Sequence, residues 1–290
     1  MATCLTTEAA AEEILSGSSE TSDSDVIPVA SDEDGSVQMD VSPMLVTDSD
    51  NQEQEDEDSE PFFKAAFMEV FSPPRVGVHV RKAGMRTAGS YDITTGTDLL
   101  GFAGRAVVLH ALTSDRPAFT MVSPPCRMYS SLMWMFNFPR MSEEHRSGQQ
   151  AEADCMLDFA MHVCRIQHQQ SGFWCFEHPQ KALSWSRDSV QRMLALPGVQ
   201  TVSFDQCRVG LCLPGSSVQE HPIKKRTKLM TNSTIVQALF SGLQCQCQVP
   251  HVRLLGTYNG VPLSQHAQRY TPRFCELLCE CAVRHAQGEH

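Results

Sequence analysis

Three short apolar runs, each stopped by proline, constrain this chain more than any other feature of its sequence. Residues 65–71 (AAFMEVF) run into Ser72-Pro73-Pro74, residues 117–122 (PAFTMV) into Ser123-Pro124-Pro125, and residues 173–177 (FWCFE) into His178-Pro179. Short apolar runs without strict alternation read as strands buried on both faces, and proline ends them because it has no N–H to offer the ladder. Helical spacing lies between them. Ala153, Met156, Leu157, Ala160, Val163, Cys164 and Gln167 recur three and four apart within residues 143–170, which predicts a long helix with one apolar face. Shorter helices are expected over residues 76–83, 103–112, 189–196 and 272–285, and further strands over 88–93, 199–204 and 227–231. Strands alternating with helices predict an α/β fold, a Rossmann-like, mostly parallel sheet with helices on both faces. Ligands of such sheets sit beyond the carboxyl ends of the strands, so Ser72, Pro73, Asp92, Pro125, Cys126 and residues 177–179 are expected to converge.

Charge divides the chain in two. Residues 1–60 hold 18 Asp or Glu and no Lys or Arg, whereas residues 61–290 hold 16 acids and all 23 bases. An arm of charge −18 therefore precedes a domain of charge +7, and the overall −11 describes neither. The arm has too little apolar surface to offset the entropy of ordering it and is expected to be disordered; residues 61–290 suit one α/β domain. No apolar run is long enough to cross a membrane, and residues 1–10 lack the basic-then-apolar pattern of a secretory signal. The expectation is an intracellular protein whose 12 cysteines serve as thiols rather than as a disulfide framework.

Chemistry concentrates on two residues. Cys126 follows a strand and two prolines, and proline restricts both its own backbone and that of the residue before it. A thiol on so stiff a turn is held at a fixed place, as nucleophilic catalysis requires. Glu177 closes the apolar run FWCFE, where a carboxylate is costly unless something binds it. It is read as a group that hydrogen-bonds the polar edge of a substrate, against the plainer role of a cap or ion-pair partner.

The string Pro125-Cys126-Arg127-Met128-Tyr129-Ser130 resembles the Pro-Cys-x-x-Phe-Ser motif of the DNA cytosine-5 methyltransferases. Glu177-His178-Pro179 is similar to that family's Glu-Asn-Val, and Glu69-Val70-Phe71-Ser72 to its Asp-Leu-Phe-x-Gly. Asp92, 21 residues past Phe71, matches the acidic residue that binds the cofactor ribose, and Asp98 the later one near adenine. Phe204 to Leu211 and then Lys224 to Asn232 resemble the region of the Gln-x-Arg-x-Arg motif, and the motifs run in the family's order. A more distant similarity is to methyltransferase-like domains of retroelement polyproteins. The resemblance implies a methyltransferase using S-adenosylmethionine on flipped-out cytosine. It implies Cys126 as nucleophile and Glu177 as the carboxylate on the base. Phe71, Ser72, Asp92, Asp98 and Pro125 become cofactor contacts, and Arg127 and Ser130 nucleic-acid contacts. Three departures stand out: Ser72-Pro73-Pro74-Arg75 replaces the family's glycines, His178-Pro179 replaces its Asn-Val, and fewer than 60 residues follow Asn232.

Lys224, Lys225, Arg226 and Lys228 form the densest basic cluster, a candidate contact for nucleic-acid phosphates, DNA before RNA, or a nuclear import signal. Cys245, Cys247 and His251 form a C-x-C-x3-H group. Nothing in the spacing selects a fourth ligand among His266, Cys275 and Cys279, so no metal is assigned. Neither a membrane nor an obligate protein partner is expected. Two other readings stay open: a methyltransferase acting on an exocyclic amine through Ser123-Pro124-Pro125, and a degenerate domain that binds without catalysis.

Overall fold

The computed structural model describes residues 62–290; the acidic arm expected over residues 1–60 lies outside them. A six-stranded sheet forms the centre, in the order β2-β1-β3-β4-β6-β5. The strands are β1 (Ala65–Val70), β2 (Thr87–Tyr91), β3 (Pro117–Val122), β4 (Phe173–Pro179), β5 (Gln200–Asp205) and β6 (Arg226–Thr231). The first four run parallel, and β6 lies antiparallel between β4 and β5. A two-stranded hairpin, β7 (Thr257–Tyr258) with β8 (Val261–Pro262), stands apart from this sheet.

Each parallel crossover carries a helix, and the two faces of the sheet take different ones. Here α1 is Val76–Lys82, α2 Phe102–Ser114, α3 Glu143–Gln169, α4 Asp188–Leu194, α5 Thr234–Phe240, α6 Leu263–His266 and α7 Pro272–Ala286. Val108 and Leu112 of α2, Leu157 and Ala160 of α3, and Val190 and Met193 of α4 share one core with Val122, Trp174 and Phe176. Val76 and Val80 of α1, Ile235 and Phe240 of α5, and Phe274 and Leu278 of α7 share the other with Phe119, Met121 and Cys175. Neighbouring strand residues thus feed opposite cores, which is why β1 and β3 are buried at every position. The α/β expectation holds, and the helices at 143–169 and 272–286 fall within a residue or two of the sequence reading. Their caps explain the sharp starts: Ser142 accepts from His145 N–H, and Thr271, followed by Pro272, accepts from Phe274 N–H.

Chain order makes β1 the pivot. After β1 the chain moves through α1 to β2 on one side, then returns through α2 to β3 on the other, so the strand order reverses between β1 and β3. The crevice at such a reversal is where doubly wound sheets bind ligands.

One buried carboxylate organises the exit from β1. Glu69 is fully buried and accepts hydrogen bonds from the N–H groups of Arg75 (3.1 Å), Val76 (3.3 Å) and Gly77 (3.1 Å) and from Ser90 Oγ (2.8 Å). The first amides of a helix have no partner within it, and here a side chain eight residues upstream or fewer supplies one. Burial nevertheless raises the Glu69 pKa from its ordinary value, against the pull of Ser90 and the three amides. A Cβ on Gly77 would stand 3.0 Å from Glu69 Oε1, so this glycine permits the close approach. Glu69→Ala leaves these buried donors without an acceptor and is expected to destabilise the fold by about 3–5 kcal/mol, with Glu69→Gln losing about half as much. Urea unfolding checks this as a lowered midpoint at unchanged slope.

Candidate functional site

Parallel register brings the strand ends together. Val70 pairs with Tyr91 on one side and Val122 on the other, and Val122 pairs with Phe176. The next residues, Asp92, Phe71, Ser123 and Glu177, therefore form a row across the carboxyl edge of the sheet. At the usual strand spacing this row spans about 14 Å. The residues that follow the four parallel strands thus share one edge of the sheet, and Cys126 lies three residues beyond Ser123 on the same loop.

Cys126 is a half-buried free thiol at the start of a short 3-10 turn, Arg127–Tyr129. The turn is tied down twice. Tyr129, fully buried, donates to Asp154 Oδ1 of α3 at 2.7 Å, and Arg187 pairs with the same carboxylate at 3.1 Å. On the other side, His178 Nε2 lies 3.0 Å from the Pro124 carbonyl and Nδ1 lies 2.6 Å from Ser184 Oγ. A carbonyl only accepts, so Nε2 carries the proton and Nδ1 accepts from the serine hydroxyl. Burial lowers the His178 pKa to about 4, so the ring is neutral and holds the Pro-Pro-Cys loop against the end of β4.

Glu177, 6% exposed, sits at the β4 end of the row. Its Oε1 has no hydrogen-bond partner and lies 3.8 Å from Lys225 Nζ, while Oε2 lies 3.3 Å from the Tyr270 hydroxyl. That hydroxyl is also 2.6 Å from Ser123 Oγ. Burial pushes the Tyr270 phenol up, so it keeps its proton and serves as a donor. Burial likewise raises the Cys126 pKa; Lys225 opposes this and Glu177 reinforces it. The ammonium of Lys225 thus acts on both the thiol and the carboxylate.

The remaining candidates are distributed as follows. Phe71 ends β1 in the left-handed region (φ 61°), rare for a bulky residue, with its ring edge-on to Phe159 at 6.2 Å. Ser72 is buried and its hydroxyl donates to the Pro73 carbonyl. Asp92 caps a 3-10 turn, Ile93–Thr95, accepting from Thr94 N–H (2.8 Å) and Thr94 Oγ1 (2.6 Å). Asp98 is exposed and accepts from Leu100 N–H at 2.9 Å. Pro125 and Arg127 are exposed, and Ser130 closes the turn after Cys126. The basic cluster divides by partner. Lys225 faces Glu177, Arg226 donates to Gln244 Oε1 at 2.7 Å, Lys228 lies 4.5 Å over the Trp185 ring, and Lys224 is exposed.

Sequence reasoning missed Tyr270 and the individual role of Lys225. It also missed a helical stretch after the cysteine, the π-helix Met133–Asn137, on which Trp134 is 50% exposed beside exposed Met135 and Phe136. π-Helical turns gather at functional sites. Finally, Cys207 joins Cys245, Cys247 and His251, a ligand the spacing did not select. No helix among the described residues is long and apolar enough to cross a membrane. No protein-family model matches the chain, and no curated protein matches it.

Two outcomes follow from this geometry. Lys225→Gln removes the cation that favours the Cys126 thiolate, so iodoacetamide is expected to label the Cys126 peptide several-fold more slowly at mildly alkaline pH, with the pH–rate curve moved upward. His178, with a folded pKa below its unfolded 6.5, contributes stability that is complete above pH 6.5 and is lost as pH falls toward about 4. That contribution is about 3 kcal/mol. The urea midpoint of the wild type should therefore fall more steeply over this window than that of His178→Gln.

Proposed function

We propose that this chain is a methyltransferase-like protein acting on carbon 5 of cytosine in nucleic acid, with Cys126 as nucleophile and S-adenosylmethionine as methyl donor. One observation carries the reading. A half-buried cysteine and a buried glutamate, one of whose oxygens accepts no hydrogen bond, share a lysine at the strand ends beside the point where the strand order reverses. Lys225, 3.8 Å away, meets the charge of that oxygen but not its need for a hydrogen bond, and a ligand that donates to it supplies one. The exocyclic amine of cytosine can donate to that oxygen, and N3, itself an acceptor, is reached through a proton shared with the carboxyl group.

The work of the chain's own residues follows. The thiol of Cys126 gives its proton to solvent, the Lys225 ammonium favouring the thiolate, and sulfur bonds to carbon 6 of the flipped base as the carbon 5–carbon 6 double bond opens. Glu177 steadies the ring at N3 and the exocyclic amine as electron density moves to carbon 5. Tyr270 holds the other carboxylate oxygen, so Glu177 keeps its aim. Once carbon 5 carries the methyl group, its proton passes to water and the freed electron pair expels the Cys126 thiolate, which restores the ring. His178 and Tyr129 are positioning residues, since they hold the loop that carries the sulfur. Exposed Trp134, Met135 and Phe136 offer apolar surface next to this loop, of the kind that fills the gap left by an extruded base.

The residues present fit the cofactor at its ribose end. Asp92 closes the second strand and retains acceptor capacity beyond its bonds to Thr94. Phe71 and Ser72 line the same edge, with Pro125 across the row and Asp98 further along the chain. When bound, the cofactor supplies the methyl group. A second reading, a binding module without catalysis, is favoured by Glu69, which already occupies the amides of Arg75, Val76 and Gly77 that a cofactor carboxylate would otherwise use. A thermal shift with S-adenosylmethionine separates the two, since only a binder of the native state raises the midpoint.

Trapping tests the leading reading directly. Incubation with S-adenosylmethionine and DNA carrying 5-fluorocytosine is expected to leave a covalent adduct on the Cys126 peptide, because fluorine cannot depart as the proton does. Cys126→Ser should form none while still binding DNA. Absence of any adduct on the wild type, with both DNA and RNA substrates, would overturn the covalent mechanism.

A further inference from the structure

Cys207, Cys245, Cys247 and His251 make a second cluster of reactive side chains, which the proposed reaction does not use. Their ligand atoms, three sulfurs and one imidazole nitrogen, all lie within 4.8 Å of one another. Cys245 Sγ and His251 Nε2 are 3.2 Å apart. Tetrahedral zinc, with Zn–S about 2.3 Å and Zn–N about 2.0 Å, sets its sulfur ligands about 3.8 Å apart. Closing the cluster on an ion therefore asks for shifts of an ångström or less.

The four ligands come from two segments that the fold brings together. Cys207 is buried on the 3-10 turn Gln206–Val209, directly after β5. The other three lie within residues 241–256, a stretch without helix or strand between α5 and β7. Such a stretch needs some other source of order. Hydrogen bonds already aim the donors: Cys245 N–H donates to buried Asp205 Oδ2 at 2.9 Å, and Cys247 N lies 3.5 Å from Cys245 Sγ. An amide pointing at sulfur favours its ligating, deprotonated form. Lys224 and Arg208 lie near enough to act electrostatically on Cys245 and Cys247, and they would offset the net negative charge of three thiolates on a divalent ion.

We propose that Cys207, Cys245, Cys247 and His251 form a closed structural zinc site that fastens residues 241–256 to the end of β5. Four protein ligands leave no position for a substrate, and a thiolate-rich tetrahedral set selects zinc among common divalent ions. Each Zn–S bond replaces an S–H bond, so binding releases up to three protons to solvent and neither oxidises nor reduces any group. Neighbouring contacts give the site a reach beyond its own loop. Gln206 N–H, next to Cys207, donates to the Lys225 carbonyl at 3.1 Å, so the turn that would carry the metal also fixes the backbone of the lysine facing Glu177.

Metal analysis of the full chain tests this without reference to any reaction. Protein produced with zinc and kept reduced is expected to hold one zinc per chain. After chelation, cobalt(II) added to the wild type should give the absorption of a tetrahedral thiolate site, saturating at one equivalent and displaced by zinc. Zinc should protect Cys207, Cys245 and Cys247 from alkylation while Cys279 reacts equally with and without it. Cys245→Ser and His251→Ala should lose stoichiometric metal, and Cys212→Ser should keep it. Wild-type protein that binds neither zinc nor tetrahedral cobalt overturns the proposal, as does bound metal that leaves the three thiols unprotected. Both results are read on the wild type, so a variant that fails to fold does not blur them.

Discussion

A carboxylate buried at the end of a central strand must be met by charge or by hydrogen bonds, and for Glu177 the answer comes from Lys225 and Tyr270. This demand shapes the surrounding structure. Lys225 reaches the carboxylate because β6 runs antiparallel beside β4, with Leu229 opposite Glu177, which returns the residues preceding β6 to the carboxyl edge of the parallel strands. The turn after β5 then holds the lysine backbone in place. Tyr270 stands just ahead of α7, whose apolar face packs under β1 and β3 and so brings the phenol to the same edge. The inserted antiparallel strand and the final helix are therefore parts of one arrangement that allows a carboxylate to remain buried.

Much of the fold was legible because prolines and glycines mark its strand ends plainly. The run 117–122 corresponds to β3 residue for residue, since Ser123-Pro124-Pro125 admits no other stop. The convergence of Phe71, Asp92, Cys126 and Glu177 was also legible, because a parallel sheet with crossover helices leaves its strand ends nowhere else to go. What stayed hidden depends on contacts between distant parts of the chain. Lys225 looked like one of four equivalent cations, whereas position relative to the strand sends Lys225, Arg226 and Lys228 to different partners. Cys207 carries no local signal, since its companions lie about 40 residues on and are joined to it only by folding. Helix α5, which starts at the Ser233 cap, was not read from the sequence.

The loop after β1 shows how one sequence departure is compensated. Where glycines would give a free path for the backbone, the chain has Ser72-Pro73-Pro74-Arg75, and the freedom is recovered on either side. Phe71 takes the left-handed conformation that a glycine would take, and Gly77 allows the close approach of Glu69. The result is a rigid exit from β1, filled internally by a carboxylate rather than left open at the amides.

Phe71 carries that rigidity further. A bulky residue in the left-handed region holds about 1–2 kcal/mol of backbone strain. Its ring, packed edge-on against Phe159 in the main core, forfeits more than that if removed, since deleting a buried phenylalanine side chain costs about 3–5 kcal/mol. The strain is thus retained by packing, and exchanging the ring for glycine would relax the backbone at the expense of the core. A crevice built this way has little freedom to mould itself around a visitor. Under the proposed function it would select by shape already formed, and an acceptable ligand would be one that matches the rim as it stands.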